Sequence, residues 1–203
     1  MRKPNITSLI KILLITIPAI TLSACAVQNK SVNIIPKLNT LNYNIGNSQK
    51  VNIIITDNRK TENLGNSISS IGQQSNLKTD KKLIQNIKNS VTKSMESYGF
   101  VPVKKEATKK LILNIINLSY TQQSKYLVKG SIEINCDIKA TVINKYQKFS
   151  RIFRTTYKET TTFNPDIKAD YKNINQVISI NLQKILSDKD ILNILTTKYN
   201  NKN

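Results

Sequence analysis

The chain has 203 residues, enough for one domain and short for two, and its 39% hydrophobic and 21% charged content with only five Gly and five Pro excludes disordered and fibrous classes. It contains no His, which removes Ser-His-Asp and Cys-His nucleophiles, His proton shuttles and His-ligated metals, while two cysteines are too few for a disulfide framework or a Cys-based zinc site. The formal charge is +19, and 27 of the 31 cationic residues are Lys, so the charge reads either as a solvated, composition-driven surface or as the mark of an anionic partner.

The N-terminus is a targeting segment. Arg2, Lys3 and Lys11 precede an apolar run from Ile12 to Ile20, too short to span a bilayer, which takes about 20 apolar residues. Leu22-Ser23-Ala24-Cys25 follows and resembles the lipobox of bacterial lipoproteins. A Cys is needed there because only its thiolate is nucleophilic enough to take a diacylglyceryl group as a thioether. The resemblance implies that Cys25 becomes the first residue of the mature protein; an ordinary secretory signal cut nearby, or a plain buried hydrophobic segment, is the alternative. Two or three acyl chains make a stable anchor where a single chain binds only marginally. Ala26, in the position where enteric-type lipoproteins use a small residue instead of Asp, favours the outer membrane. Removal of residues 1–24 takes three cations and no acid, leaving +16 over 179 residues, and export makes nucleic acid an unsuitable partner.

Residues 25–49 read as a lipidated tether with a first strand around Val32 to Ile35, and residues 50–203 as a single periplasmic domain. Val51 to Ile55 is β-rich and ends in a turn cluster, Thr56-Asp57-Asn58-Arg59. The polar stretch to Lys78 offers only Ile68 and Ile71 as a short strand. Asp80 to Tyr98 is helical, since Leu83, Ile84, Ile87, Val91, Met95 and Tyr98 recur at spacings of three and four. Thr79 is its expected N-cap, and Gly99 its left-handed C-terminal stop, with Phe100 folding back. Leu111 to Tyr120, Lys129 to Asn144 and Lys148 to Phe163 read as successive strands, the middle one alternating Ile132, Ile134, Cys136, Ile138, Ala140 and Val142 against a polar face. A second amphipathic helix carries Tyr171, Ile174, Val177, Ile178, Leu182 and Ile185 and stops near Ser187-Asp188. A short helix from Lys189 to Lys198 closes the chain. The expected fold is α+β: an antiparallel sheet of about four to six strands with two main amphipathic helices packed on one face and a short C-terminal helix.

Ile53 to Arg59, Gly65 to Gly72, Met95-Glu96-Ser97-Tyr98-Gly99-Phe100, Leu111-Ile112-Leu113-Asn114-Ile115 and Asn173-Ile174, all behind a lipobox, resemble the YajG-like family of uncharacterised bacterial lipoproteins. The resemblance spans about Ile53 to Leu195. It implies a Gram-negative envelope lipoprotein with an α+β body, and no activity.

Candidate contacts are few. Asp57 and Arg59 could present an acid and a guanidinium to a partner from an exposed loop, or Asp57 could cap its turn and pair with Arg59. Lys145, Lys148, Arg151 and Arg154 form the densest basic stretch and are the candidate anionic contact, although spacing of three in a strand sends Arg151 and Arg154 to opposite faces. Glu133 and Asp137 lie about 13 Å apart along one strand, too far for paired carboxylate catalysis. Cys136 reads as a buried, inert thiol. No catalytic, cofactor-binding or metal site is expected. The functional expectation is an outer-membrane-anchored, non-enzymatic lipoprotein facing the periplasm and binding another envelope component, with carriage or sensing of an anionic lipid or glycan as the alternative.

Overall fold

The computed structural model describes residues 27–40, 44–69, 73–104, 107–125, 129–161 and 167–197; residues 1–24, Cys25, Ala26, Ile71, Gly72, Phe163 and Lys198 lie outside them. In chain order the elements are β1 (Gln28–Val32), β2 (Lys50–Asp57), β3 (Asn63–Ile68), β4 (Gln74–Thr79), α1 (Leu83–Ser97), β5 (Val101–Pro102), β6 (Lys109–Lys125), β7 (Lys129–Ile143), β8 (Lys148–Thr161), α2 (Ile167–Leu186) and α3 (Lys189–Thr196). The fold is α+β, as expected, but it has two sheets rather than one. A five-stranded sheet runs β5-β2-β6-β7-β8, and a three-stranded sheet runs β1-β4-β3. Neither is purely antiparallel, because β2 lies parallel to both β5 and β6, and β1 parallel to β4.

Period-two burial explains the large sheet. Val51, Ile53 and Ile55 of β2, Leu111, Leu113 and Ile115 of β6, and the even residues from Ile132 to Val142 of β7 all enter one core, covered by the helices. A bulge between Ile115 and Asn117 adds one residue to β6. It shifts the inward set from odd to even numbers, so that Leu118 and Tyr120 also reach the core while Ile116 stays 37% exposed.

β4 has little hydropathy signal because two of its three inward residues, Ser75 and Thr79, are polar and only Leu77 is apolar. The small sheet meets β6 closely. A Cβ on Gly65, whose φ is +143°, would lie 1.9 Å from the Tyr120 carbonyl oxygen. Next to it the Gln122 side-chain amide accepts from the Ile68 N–H (2.8 Å) and donates to the Ile68 carbonyl (3.1 Å), replacing a missing ladder partner.

α1 ends as its sequence implies. Gly99 has φ +81°, its N–H donates to Glu96 O, and Phe100 N–H reaches back to Met95 O, the paired bonds of a Schellman stop. Its start differs from expectation. Thr79 belongs to β4, Lys82 occupies the N-cap position without a side-chain cap, and Asp80 instead accepts from Lys82 N–H at 3.0 Å. The first strand also falls earlier than expected, at Gln28–Val32, and the residues after it are built into the body: Val32 and Ile34 are fully buried.

Candidate functional site

Asp57 and Arg59 meet, with the Arg59 side chain buried beneath an exposed Asp57. Arg59 Nε donates to Asp57 Oδ1 (2.8 Å) and Nη2 to Asp57 Oδ2 (2.7 Å), while Nη2 also reaches the Thr79 hydroxyl at 2.9 Å. The Arg59 side chain is 4% exposed, so the loop does not display its guanidinium as the exposed reading required. Asp57 ends β2 and Thr79 ends β4, and the guanidinium bridges the two strand ends. Burial pushes the Asp57 carboxyl up, but the side-chain and backbone hydrogen bonds from Arg59, with its charge, outweigh that and hold it below the usual carboxylate range. The adjoining cleft carries both signs, with Lys60, Glu62, Asp80 and Lys81 on its walls. This pair is a brace between sheets.

The basic stretch divides as its spacing predicts. Arg151 lies on the helix side, where it bonds Asp188 (2.6 Å) and Asp190 (2.8 Å) at the start of α3 and rests over the Phe149 ring. Arg154 and Lys148 lie on the opposite face, and Lys145 sits in the β7–β8 turn beside Tyr146, which is 68% exposed. The structure therefore brings Lys148 and Arg154 to one face and removes Arg151 from it.

On that face strand register adds two cations that linear spacing did not single out. Lys110, Ile143 and Lys148 form one cross-strand row; Asn114, Lys139 and Ile152 form another; Asn117, Asp137 and Arg154 form a third. No described element covers this side of the sheet. Among the described residues, Lys110, Lys139, Lys148 and Arg154 have no carboxylate within 4 Å. Ile152 (38% exposed) and Ile116 (37%) lie among them. The remaining ion pair of this face, Lys158 with Glu133 at 3.2 Å, is at its far end.

A second arrangement was hidden from sequence periodicity. Residues 33–39 form an extended strap between α1 and α2. Its N–H groups at Ile35, Lys37 and Asn39 donate to Asn175 Oδ1 (2.7 Å), Ser179 Oγ (3.0 Å) and Gln183 Oε1 (2.9 Å) of α2. On the other side, Asn86 donates to the Ile34 carbonyl (2.9 Å) and Ser90 to the Pro36 carbonyl (2.8 Å) of the same strap. Two strap residues advance about 6.6 Å and four helical residues about 6.0 Å, so polar residues at i, i+4 and i+8 keep step with alternate strap residues. The available signal was these spacings, beside each helix's apolar stripe.

Cys136 is buried on the apolar face, and burial pushes its thiol up to about 12. No described helix is long and apolar enough to cross a membrane.

Comparison with known proteins gives a sequence match to a family described as uncharacterized lipoprotein over residues 36–196. No curated protein matches the chain. Among solved structures, protein XCC0632 from Xanthomonas campestris, of the DUF330 family, is 11% identical with a TM-score of 0.53, covering 83% of this chain and 96% of that one. An uncharacterized protein follows at 15% identity and TM-score 0.44, covering 79% of this chain and all of its own. A minor lipoprotein from Acinetobacter baumannii is 6% identical with TM-score 0.37, covering 72% and 90%. At 11% identity, the first of these is a likeness of fold alone.

Proposed function

The chain belongs to the uncharacterized lipoprotein family to which its sequence resemblance pointed, and from that premise we propose that it is an outer-membrane lipoprotein, anchored through acyl chains on Cys25, whose non-enzymatic periplasmic body binds an acidic envelope protein. The observation that carries this reading is the open face of the five-stranded sheet. Four cations with no described carboxylate within 4 Å surround partly exposed isoleucines there, and even with Asp137 and Glu133 on the same face the surface keeps an excess of positive charge that favours an acidic partner. The bonds from Arg59 to Asp57 and to Thr79 support a bracing role for this pair between the ends of β2 and β4.

The test is photo-crosslinking in cells from Ile152, with Asn58 as a probe at the strand end. A discrete protein adduct from Ile152, lost when Lys139 and Arg154 are changed to Glu, supports the reading. Lipid or glycan adducts from Ile152 would transfer the same face to the alternative, an anionic lipid or glycan ligand. A Cys25→Ser chain is expected to accumulate as an unprocessed precursor; a mature-sized product without acylation would defeat the anchoring claim.

A further inference from the structure

A cavity of about 620 Å³ forms a groove on the outer side of the strap, separate from the open sheet face. The strap supplies Ile35 and Lys37 to it, and α2 supplies Lys172, Gln176 and Ile180. Ile35 is 54% exposed and Ile180 41%, both large apolar side chains facing water. Lys37 and Lys172 are the only ionisable residues among the described lining, so the groove carries positive charge and no negative charge.

Its polar lining is largely engaged already. Asn175 accepts from Ile35 N–H and donates to the Asn33 and Tyr171 carbonyls; Ser179 accepts from Lys37 N–H and donates to Asn175 O; Gln183 accepts from Asn39 N–H and donates to the Tyr98 hydroxyl. The strap amides on this side are equally taken, so an incoming peptide strand cannot add to the strap by main-chain pairing. What remains for a visitor is aliphatic surface between two ammonium groups. The strap from residue 33 to 39 extends about 20 Å at ~3.3 Å per residue, the reach of a long acyl chain. The volume lies within the usual range of small-molecule sites, roughly 300–1,000 Å³.

We infer that this groove binds a single-chain anionic amphiphile, an acyl chain ending in a carboxylate, with its methylenes along Ile35 and Ile180 and its head at Lys37 or Lys172. The chemistry separates it from a bilayer surface, which offers no isolated chain, and from a peptide, which needs main-chain partners.

The test uses the full chain carrying Ile180→Cys in phosphatidylcholine nanodiscs. Maleimide labelling is read from the mass of the peptide containing position 180, so the state of Cys25 and Cys136 does not enter. Dodecanoate is expected to slow labelling about tenfold, and dodecanol or dodecyltrimethylammonium less than about twofold. Adding Lys37→Glu and Lys172→Glu, both exposed and remote from the core, is expected to abolish protection by dodecanoate and to confer it on the cationic amphiphile. Equal protection by all three compounds would mean bilayer adsorption and would overturn the inference, as would protection by none. So would a protein adduct from a photo-crosslinker at Ile180 in cells. None of these outcomes bears on the open sheet face, whose test reads Ile152.

Discussion

Lys109 Nζ donates to the Leu195 carbonyl at 2.6 Å, joining the first residue of β6 to the last turn of α3. The same ammonium reaches the Thr197 carbonyl at 2.7 Å and the Gln49 side-chain oxygen, and the residue is 1% exposed. A cation is favourable at a helix C-terminus, where carbonyls lack intrahelical partners. Lys109→Met keeps the aliphatic stem and deletes the donors, leaving the buried Leu195 carbonyl without this partner. It is expected to lower stability by about 2–4 kcal/mol, measured as a shift of the urea midpoint at unchanged slope.

The Asp57–Arg59 brace carries an acid-sensitive contribution. The Asp57 carboxyl is held below its unfolded value, so its stabilisation is present above the unfolded pKa, about 4, and is lost as pH falls through the lower folded value. Asp57→Asn is expected to cost about 1.5–3 kcal/mol at pH 7. The difference from the parent chain should shrink steadily below about pH 4 in chemical denaturation across pH.

Cys136 titrates in the opposite sense. Its thiol is raised to about 12 in the folded chain, whereas an unfolded thiol ionises near 8.5. The unfolded state therefore releases a proton first as pH rises, and stability should decline above about pH 8.5 by an amount that Cys136→Ala removes. In the folded chain the thiol should react with a disulfide reagent at the global unfolding rate, measured by absorbance at pH 8.

The strap makes a residue-level prediction for hydrogen exchange. The amides of Ile35, Lys37 and Asn39 should exchange slowly although they belong to no β-ladder, because side chains of α2 accept them. Ser179→Ala should quicken Lys37 selectively and cost about 1 kcal/mol. Equal acceleration at all three positions would show that the strap opens as one unit.

Gly65→Ala should be among the most damaging single changes. The φ of +143° and a Cβ position 1.9 Å from the Tyr120 carbonyl oxygen leave no room for a side chain. A loss of about 3 kcal/mol is expected in thermal or urea unfolding, with the bond pair between Gln122 and Ile68 weakened beside it.

Much of the fold was legible in the sequence where burial is paid out in regular periods. β7 is readable because each inward residue is apolar and its neighbours are polar, and the end of α1 is readable because Gly99 is followed by Phe100. β4 was not, since Ser75 and Thr79 occupy inward positions that hydropathy assigns to a loop. Strand direction was illegible as well: nothing in Val51 to Ile55 distinguishes a parallel from an antiparallel neighbour. For the sites, spacing alone separated Arg151 from Arg154, but Lys110 and Lys139 joined Arg154 only through cross-strand register. Arg59 looked exposed because a turn cluster is normally solvated; its burial follows from Thr79, twenty residues on.

The direction of the strap has a mechanical meaning. Strap residues 35, 37 and 39 meet α2 residues 175, 179 and 183 in ascending order, so the strap and the helix point the same way. Tension arriving from the N-terminal side acts along the strap axis and strains its side-chain bonds together, as in shear, instead of opening them one at a time. Under the proposed anchoring through Cys25, such a pull would meet the β1–β4 ladder first and this shear-loaded strap next.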